Sequence, residues 1–455
     1  MKRPTLQLIL LALVFVTLPA FAGDVLNWRT GQNRVSADIK SGRLYDLLEQ
    51  VATVSHWHVY VEPGLNHTVS AKFSDLSPGE ALHRLLGDLN FALVPSSNSA
   101  PRLFVFRTAA ENATKRVLPT LPVAASTGPK RIPNELIVRL KPGAKIEDLA
   151  RLLGAKVTGR IDSLNAYRLQ FDNESAADAA RAQLSSNPDV SSVDNNYSID
   201  RPPVPSELSM NGLPPPPSLQ LKPPPDSGRI IVGLVDTAVQ PLGNNLDQFL
   251  MKQVSVAGDA NLDPSSPSHG TSMAETILRS VSMVTKGNSS FEILPVDVYG
   301  PNPSTSTFDV ANGIAQAVNG GAKIINLSLG SDGDSPFLHN IIQQASGMGV
   351  LFVGAAGNTP VTTPFYPAAY PEVTAVTALD QGQLAPYANR GSFISVGAPG
   401  TSVVYYGNQA WYVMGTSPAA AWATGMAEGF MERSGSSSAS SARTFLTSNF
   451  GYKPK

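Results

Sequence analysis

The sequence predicts an α/β chain whose last part is a three-layer domain with a parallel central sheet. Two observations support this fold class. From residue 229 onward, apolar runs of strand length alternate with segments of helical periodicity, which is typical of a parallel sheet covered by helices. The chain has 455 residues and 42% hydrophobic content, so it is too long for one ordinary domain and can fill more than one core. We therefore expect smaller folded blocks ahead of the large α/β domain.

Charge and composition exclude several classes of function. The formal net charge is only −1, with 34 basic against 35 acidic residues and no long basic run, which argues against a nucleic-acid partner or electrostatic binding to a membrane. The chain has no Cys, so disulfides, metal thiolates and a thiol nucleophile are ruled out. Any covalent catalysis would have to use Ser, Thr, Lys or a carboxylate.

Residues 1–22 have the order of a secretory signal peptide. Lys2 and Arg3 precede an apolar run, and the small-residue pattern of a cleavage site ends at Ala22. The alternative is an uncleaved anchor helix, for which this apolar run is short. No later segment of the sequence is long and apolar enough to cross a bilayer. We expect cleavage after Ala22 and no membrane span in the mature protein.

The first block, residues 24–108, alternates helical and strand-like segments. Ser77 fits a helix N-cap, Pro78 the first helical position and Glu80 the capping-box position. The segments IKSGRLYDLLEQVA and SDLSPGEALHRLL resemble the short N-terminal domain of secretins and TonB-dependent receptors. That resemblance implies a small α/β domain, a Gram-negative envelope and contact with an envelope protein.

Two histidines of this block, His56 and His58, flank Trp57 and would share one face of a strand. Such a pair can bind a metal ion. A third ligand is not evident in the sequence, and exposed strand faces are far commoner than metal sites. We therefore interpret the pair as an exposed strand face and expect no metal.

The second block, residues 131–200, follows a polar linker at 109–130 and reads as β-α-β-α-β. An α+β unit of this length fits a split, ferredoxin-like βαβ arrangement. The segments NELIVRLKPG, AYRLQF and NPDVSSVDNNY resemble the propeptide of secreted subtilisin-like proteases. In that family the propeptide folds as a small inhibitor of its own enzyme, and the resemblance implies the same role here.

A Pro-rich segment, residues 201–228, separates the second block from the last one. Its composition excludes helix and central strand and predicts an extended, exposed chain. Exposed segments of this kind are readily cleaved. We expect proteolytic maturation near the end of the second block or within this segment.

Three polar residues of the last block, residues 229–455, occupy positions suited to chemistry. Asp236 ends the apolar run RIIVGLVD, and the carboxyl ends of parallel strands are where α/β sheets place their sites. His269 opens a helical segment. Ser417 begins another, where its hydroxyl lies at the positive end of the helix dipole, and Pro418 suits the first helical position.

These residues are the groups that activate a serine. A hydroxyl becomes nucleophilic when an imidazole takes its proton, and the imidazole needs a carboxylate that fixes its tautomer. We expect Ser417 to be the nucleophile, His269 the base and Asp236 the group that orients the base.

The motifs around these residues resemble those of the subtilase family, which has the same chain order of Asp, His and Ser. The three catalytic motifs of that family match Asp236-Thr237-Ala238, residues 269–274 and residues 415–419. The resemblance extends over residues 229–433 and implies a subtilisin-like fold.

The same resemblance implies further site residues. Asn358, at the end of VLFVGAAGN, would donate to the oxyanion of the tetrahedral intermediate. Substrate backbone would pair with the strand segment formed by Ser328, Leu329 and Gly330.

A few residues depart from the family motifs. Ala238 and Glu275 stand where Gly is usual, and Ala421 and Trp422 replace Pro and His. Ala238 fits only if it keeps a negative φ. Glu275 stands where the family has a tight contact between helices, and the sequence does not show how the larger side chain packs there. None of these residues is one of the expected catalytic side chains.

The resemblance implies a secreted serine endopeptidase, made as an auto-inhibited zymogen, that acts on protein or peptide substrates in the periplasm or outside the cell. No cofactor is expected. Members of the family often bind Ca²⁺, but the sequence has no carboxylate cluster that forms a site. Two alternatives stay open: a catalytically silent subtilase fold that serves as an envelope binding or scaffold protein, and an envelope interaction module led by residues 24–108.

Overall fold

The computed structural model describes residues 25–452 except for gaps at 30–33, 56, 66, 95–100, 118–127, 209–220, 222–228, 244–245, 288 and 381. The predicted signal peptide and most of the Pro-rich segment lie outside the described residues. The chain divides into two compact units, residues 1–120 and residues 121–455. Within the described ranges, none of the helices combines the length and the apolar character needed to cross a membrane.

The first unit packs helices against two small sheets. Its elements are β1 (Val25–Arg29), β2 (Arg34–Arg43), α1 (Leu44–Ser55), β3 (His58–Val61), β4 (Thr68–Leu76), α2 (Pro78–Leu86), β5 (Asn90–Val94), β6 (Arg102–Phe106) and β7 (Lys115–Val117). Strands β1, β2 and β4 form an antiparallel sheet, and β5, β6, β3 and β7 form a mixed one. Apolar side chains of both helices and both sheets make one core.

The start of α2 confirms the predicted helix cap. Ser77 Oγ accepts a hydrogen bond from the Glu80 N–H, and the Ser77 N–H donates to Glu80 Oε2 at 3.0 Å, so Pro78 is the first helical residue. Strand β7 lies in the segment that the sequence assigns to a linker, and it pairs with β3. The first unit therefore continues past residue 108.

His58, one of the two histidines considered as metal ligands, is half-buried in β3. It pairs in register with Arg102, and burial together with the charges of Arg116 and Arg102 lowers its pKa. Two guanidinium groups beside this ring disfavour a bound cation. His56 lies outside the described residues.

The second block is a small α+β fold at the start of the second unit. It consists of β8 (Arg131–Leu140), α3 (Ile146–Leu153), β9 (Lys156–Ile161), β10 (Ala166–Gln170), α4 (Glu174–Ser185) and β11 (Val190–Asp200). Its antiparallel sheet has the order β11-β8-β10-β9. The sequence pattern missed β9, because Lys156, Arg160 and Gly159 obscure the apolar alternation of this short edge strand.

The last block is built on one large, mostly parallel sheet. Its elements, with the strand β12 that precedes it, are β12 (Ser206–Leu208), β13 (Ile230–Asp236), β14 (Val254–Ser255), α5 (His269–Thr285), β15 (Phe291–Asp297), β16 (Ser304–Ser306), α6 (Thr307–Asn319), β17 (Ile324–Leu327), α7 (Pro336–Gly347), β18 (Leu351–Ala355), β19 (Val373–Asp380), β20 (Gln383–Leu384), β21 (Val396–Pro399), β22 (Thr401–Tyr406), β23 (Gln409–Met414), α8 (Thr416–Ser434) and α9 (Ala439–Phe450). The sheet order is β14-β15-β13-β17-β18-β19-β20, with β21 also paired to β19. Only β20 runs antiparallel among these described pairs.

Helices cover both faces of this sheet, as the apolar strands predict. In β17, Ile325 and Leu327 pack into the core that contains α6 and α7. The residue between them, Asn326, accepts a hydrogen bond from Thr424 of α8 at 2.9 Å. Because alternate residues of a strand point to opposite faces, α8 lies on the face opposite α6 and α7. The expected three-layer architecture is therefore confirmed.

The second block packs directly on the last one. Ile137 of β8 belongs to the core that α6 and α7 share with the large sheet. Asn196 is fully buried, and its Oδ1 accepts hydrogen bonds from the Phe308 N–H at 3.1 Å and the Thr307 hydroxyl at 3.0 Å at the start of α6. Arg168 Nη1 forms an ion pair with Asp309 Oδ2 at 2.7 Å. These contacts make the two blocks parts of one unit.

Candidate active site

Asp236 and His269 meet at the carboxyl edge of the sheet. Asp236 is the last residue of β13, and His269 is the first residue of α5, whose N-cap Ser268 accepts a hydrogen bond from the Thr271 N–H at 3.0 Å. His269 Nδ1 lies 2.8 Å from Asp236 Oδ1, and the two side chains are 3% and 0% exposed. This buried pair has the geometry in which a carboxylate holds an imidazole in one tautomer.

Ser417 lies at the neighbouring strand end. It is the second residue of α8 and is 9% exposed. Its hydroxyl donates to the Ser328 carbonyl oxygen at 3.2 Å, and no hydrogen bond joins it to the described His269 ring. Ser328 follows β17, the strand next to β13, with Val235 and Leu327 in register. The fold thus brings Ser417 to the strand end beside Asp236.

The helix start at Ser417 differs in one detail from the expectation. Helix α8 begins at Thr416, so Pro418 is its third residue rather than its first. A proline is tolerated there because the first four N–H groups of a helix have no intrahelical partner. Ser417 therefore keeps its place in the first turn, at the positive end of the helix dipole.

Asn358 contacts the same helix start. Its Oδ1 accepts a hydrogen bond from the Thr416 N–H at 2.8 Å, and the Thr416 hydroxyl accepts one from the Gly357 N–H at 3.0 Å. Among the described residues none accepts from the Asn358 side-chain N–H groups. Gly415, before the helix, has φ +146°, and a Cβ there would lie 2.9 Å from Asn358 Nδ2. The amide nitrogen is thus left available beside Ser417.

The segment predicted to bind substrate backbone continues from β17. Ser328 and Leu329 are buried, and Gly330 is close to Phe365, because a Cβ at Gly330 would lie 2.5 Å from that ring. The Ser328 hydroxyl donates to the Ser417 carbonyl oxygen at 3.1 Å. The structure therefore brings this segment directly against the helix that carries Ser417.

Two supporting residues were not found from the sequence. The Asn326 amide donates to Ser328 Oγ at 2.9 Å and accepts from the Thr424 hydroxyl. All three side chains are buried. They link α8 to the strand end by a chain of hydrogen bonds. The one sequence signal for this network was Asn326, a polar residue inside the apolar run IINLSL.

A second buried carboxylate, also missed, lies next to Asp236. Asp297 ends β15 and is in register with Asp236. Its Oδ1 accepts from the Tyr299 and Gly300 N–H groups, and its Oδ2 is buried without a hydrogen-bond partner among the described residues. Burial raises the pKa of Asp297, and the nearby Arg201 charge opposes that rise.

Residues 201–208, which we call the crossing segment, pass over this site. On one side the Arg201 N–H donates to the Pro303 carbonyl oxygen at 2.9 Å, next to the pairing of β11 with β16. On the other side β12 pairs with β23, the strand that leads into Gly415. Between these points Pro202 and Val204 line a cavity of about 270 Å³ that also contains His269.

The beginning of the Pro-rich segment is extended, as the sequence predicts, but it is bound more closely than its composition indicates. Residues 206–208 form an edge strand and Pro205 is buried, whereas residues 203, 204, 206 and 207 are exposed. Its edge partners are remote in sequence, and composition alone could not reveal them.

Two of the residues that depart from the family motifs, Ala238 and Glu275, are accommodated by their local surroundings. Ala238 is not among the described residues with positive φ, so it keeps the conformation that alanine requires. Glu275 is buried, forms an ion pair with Arg279 and accepts from the Tyr405 N–H at 2.7 Å. The close helix contact is made instead by Gly425 of α8, where a Cβ would lie 2.6 Å from the Ile277 carbonyl oxygen.

No metal site is assigned. Within the described ranges, no group of three or more His, Cys, Asp or Glu side chains is placed to hold a metal ion. The residues of the site therefore give no support for Ca²⁺ at this location.

Comparisons with known proteins agree with the fold of the second unit. A family model described as the subtilase family matches residues 227–452, and one described as the fervidolysin N-terminal prodomain matches residues 119–196. The structure resembles the crystal structure of fervidolysin from Fervidobacterium pennivorans, a keratinolytic enzyme related to subtilisin. The TM-score is 0.54 at 20% identity, over 70% of this chain and 57% of that one.

Curated relatives match the last block. A thermostable alkaline protease of Halalkalibacterium halodurans is 40% identical over 183 residues, which are 38% of this chain and 51% of that protein. The chain thus spans about half the length of that relative. Subtilisin Savinase of Lederbergia lenta is 35% identical over 185 residues, which are 38% of this chain and 69% of Savinase. The chain belongs to the subtilase family.

Proposed function

We propose that this chain is a secreted serine endopeptidase, made as an auto-inhibited zymogen, that hydrolyses peptide bonds with Asp236, His269 and Ser417. The observation that carries the proposal is the buried 2.8 Å hydrogen bond between Asp236 and His269, next to the strand end where Ser417 contacts Ser328. Burial of an imidazole or a carboxylate is unfavourable when the group has no hydrogen-bond partner, and here each group is the partner of the other.

The proposed reaction follows from these positions. Ser417 Oγ attacks the peptide carbonyl carbon while His269 takes its proton, and Asp236 stabilises the imidazolium. The Asn358 amide and the Ser417 backbone N–H hold the oxyanion of the tetrahedral intermediate. The C–N bond then breaks as His269 gives its proton to the leaving amine. Water attacks the acyl-enzyme with His269 again as the base.

Substrate binding uses main-chain pairing. The edge formed by Ser328, Leu329 and Gly330 accepts an extended peptide, which gives affinity with limited demand on side chains. Ser328 also hydrogen-bonds Ser417, so substrate and nucleophile share one rigid support.

Auto-inhibition is supported by the contacts of residues 131–200, which we call the pro-domain from here on. Its last strand continues into the crossing segment, whose Pro202 and Val204 border the cavity beside His269. A segment held on both sides of the cleft competes with substrate for the same space. We propose that the protein processes itself at this junction or in the Pro-rich segment. Processing of pure Ser417→Ala protein at the same place would contradict self-processing.

The direct test of the proposal is hydrolysis of casein by full-length protein whose Pro-rich segment has been cut. The variant Ser417→Ala is compared with Ser434→Ala, which removes a hydroxyl from the other end of the same helix. We expect hydrolysis by the wild type and by Ser434→Ala, and background rates for Ser417→Ala. Equal rates for both variants would overturn the proposed nucleophile.

A catalytically silent binding protein is the second candidate. One observation favours it: the Ser417 hydroxyl donates to Ser328 and not to His269. Catalytic hydrogen bonds often tighten only when substrate binds, so this geometry does not exclude activity. If the cut protein binds a peptide but does not hydrolyse it, the hypothesis of a catalytically silent binding protein is favoured.

For the first unit we propose contact with a protein of the Gram-negative envelope. The unit has its own core, and its composition gives no catalytic group that we assign. Deletion of residues 25–117 tests this proposal through two readouts, location by cell fractionation and casein hydrolysis. We expect altered location with retained hydrolysis, and unchanged location would contradict it.

A further inference from the structure

The crossing segment places an arginine side chain in a polar niche beside the candidate site. Arg201 Nε donates to the Asn302 carbonyl oxygen at 2.8 Å, and Nη2 donates to the Gly300 carbonyl oxygen at 2.6 Å. Its guanidinium carbon lies 5.2 Å from the centroid of the Tyr299 ring. Carbonyl oxygens and an aromatic face are both attractive surroundings for a cation.

A buried carboxylate adds negative charge to this niche. Asp297 is 1% exposed, and its Oδ2 has no hydrogen-bond partner among the described residues. Asp236 stands opposite it on the adjacent strand. Two carboxylates in register on adjacent strands disfavour each other's ionised form, so a cation beside them stabilises their charges. Arg201 supplies that cation in the present structure, and its charge acts on Asp297.

The niche is held in shape by its own backbone. Gly300 has φ +54°, and a Cβ there would meet the Ala257 carbonyl oxygen at 2.2 Å, so this loop conformation requires glycine. Tyr299 is fully buried. Because the glycine conformation fixes the loop that carries the acceptors of Arg201, we expect these acceptors to keep their places when the crossing segment leaves, and the niche then lacks its cation.

The main chain at Arg201 is bound in a way that any extended peptide can copy. The preceding strand pairs antiparallel with β16, and the Arg201 N–H continues this pairing at Pro303. The next residue, Pro202, borders the cavity that contains His269. A substrate on the same path would therefore place one side chain in the niche, on the N-terminal side of the bond next to His269.

We propose that this niche is a specificity-determining subsite that takes the guanidinium or ammonium group of a basic residue in the substrate. The proposal rests on the proposed function, because the occupant is a substrate of the peptidase. A peptide with a basic residue at this position regains the contacts of Arg201, and an acidic residue there is repelled by Asp297 and Asp236.

The first experiment maps cleavage sites. Full-length protein with its Pro-rich segment cut digests a mixture of denatured proteins, and mass spectrometry identifies the cut bonds. We expect Arg and Lys to be enriched about 10-fold at one fixed position N-terminal to the cut. The enrichment shrinks in Asp297→Asn and persists in Asp380→Asn, a matched change at the carboxyl end of β19 in the same sheet. Cleavage without such enrichment, or enrichment independent of Asp297, would overturn the proposal.

The second experiment measures binding without catalysis. Cut protein carrying Ser417→Ala is titrated with fluorescein-labelled peptides that copy residues 197–205, unchanged or with Arg201→Lys, Arg201→Ala or Arg201→Glu. Fluorescence anisotropy should show the arginine peptide binding about 10-fold tighter than the alanine peptide, with lysine between them and glutamate weakest. Equal affinities would overturn the niche. If the digest shows no cleavage but the peptides keep this order, the niche stands and the proposed peptidase activity fails.

Discussion

The glycine before the proposed nucleophile offers a sharp test of the proposed oxyanion hole. Gly415 has φ +146° and precedes α8 directly, and a Cβ at this residue would lie 2.9 Å from Asn358 Nδ2 and 3.4 Å from Oδ1. Gly415→Ala therefore pushes the Asn358 amide out of place, because the three atoms nearest to the added Cβ all belong to Asn358, and it leaves Asp236, His269 and Ser417 unsubstituted. The displaced amide is the donor that we assign to the oxyanion.

Gly415→Ala should lower two quantities, kcat and the stability of the fold. A Cβ this close must be relieved by movement of the amide, since carbon contacts are favourable only at about 3.5–4.0 Å. Loss of one oxyanion donor typically lowers kcat by about 10²–10³. A non-glycine residue at such a φ also destabilises the fold by about 1–3 kcal/mol. We expect Gly415→Ala to lower both kcat and the stability of the fold, and the loss of kcat should be the effect that limits activity.

The assay compares kcat for a quenched peptide with Tm from thermal melts, in protein whose Pro-rich segment is cut. Gly435→Ala is the matched control, because Gly435 ends the same helix at φ +65° and a Cβ there would meet no described atom within 4 Å. It should lower Tm modestly and keep kcat. The double variant of Gly415→Ala with Asn358→Ala should be no slower than Asn358→Ala alone, because both remove one donor. Full kcat in Gly415→Ala would refute the assignment.

Three further changes have expected outcomes. Asp236→Asn should lower kcat by about 10⁴ in the peptide assay, because the amide favours the wrong tautomer of His269; a loss below tenfold would contradict the proposed role. Glu428 is buried, and burial together with the neighbouring Glu432 carboxyl raises its pKa well above 4.5, so folded protein binds this proton more tightly than unfolded protein. Wild-type stability should therefore fall as pH rises above about 4.5, whereas Glu428→Gln escapes this loss, and its Tm advantage should grow with pH; parallel Tm curves would contradict the sign. Arg168→Ala removes the cationic partner of Asp309 at a mostly buried interface and leaves that carboxylate with the Ser306 hydroxyl, which we expect to weaken pro-domain binding by about 2 kcal/mol, or about 30-fold. The lag before peptidase activity appears after cutting should shorten accordingly, and an unchanged lag would argue against inhibition through this contact.

Local sequence chemistry was enough to place the expected catalytic side chains on their elements. An apolar run ending in a carboxylate predicted Asp236 at the end of β13, and the structure confirms that position. The helix that begins at His269 is confirmed as well. Each of these features depends on neighbours within a few residues, so periodicity and capping rules apply to it. The roles of these residues remain predictions.

Features that depend on distant contacts could not be predicted. Asp297 becomes part of the site only through the register of β15 with β13, which no local pattern shows. Thr424 supports the strand end through Asn326, a residue 98 positions away. The crossing segment has the composition of a free linker, but edges at β16 and β23 bind it. In each case the partner is chosen by the fold rather than by the neighbouring sequence.

The central claim is that Ser417 is an activated nucleophile, and covalent labelling with a fluorophosphonate tests it most directly. The probe reacts with a serine hydroxyl whose proton is taken by a neighbouring base. Protein with the Pro-rich segment cut is used together with its Ser417→Ala variant, and the labelled residue is identified by mass spectrometry. We expect labelling at Ser417 in the wild type and none in Ser417→Ala. Folded, cut wild-type protein that takes up no probe, or label that persists in Ser417→Ala, would contradict an activated nucleophile at this position.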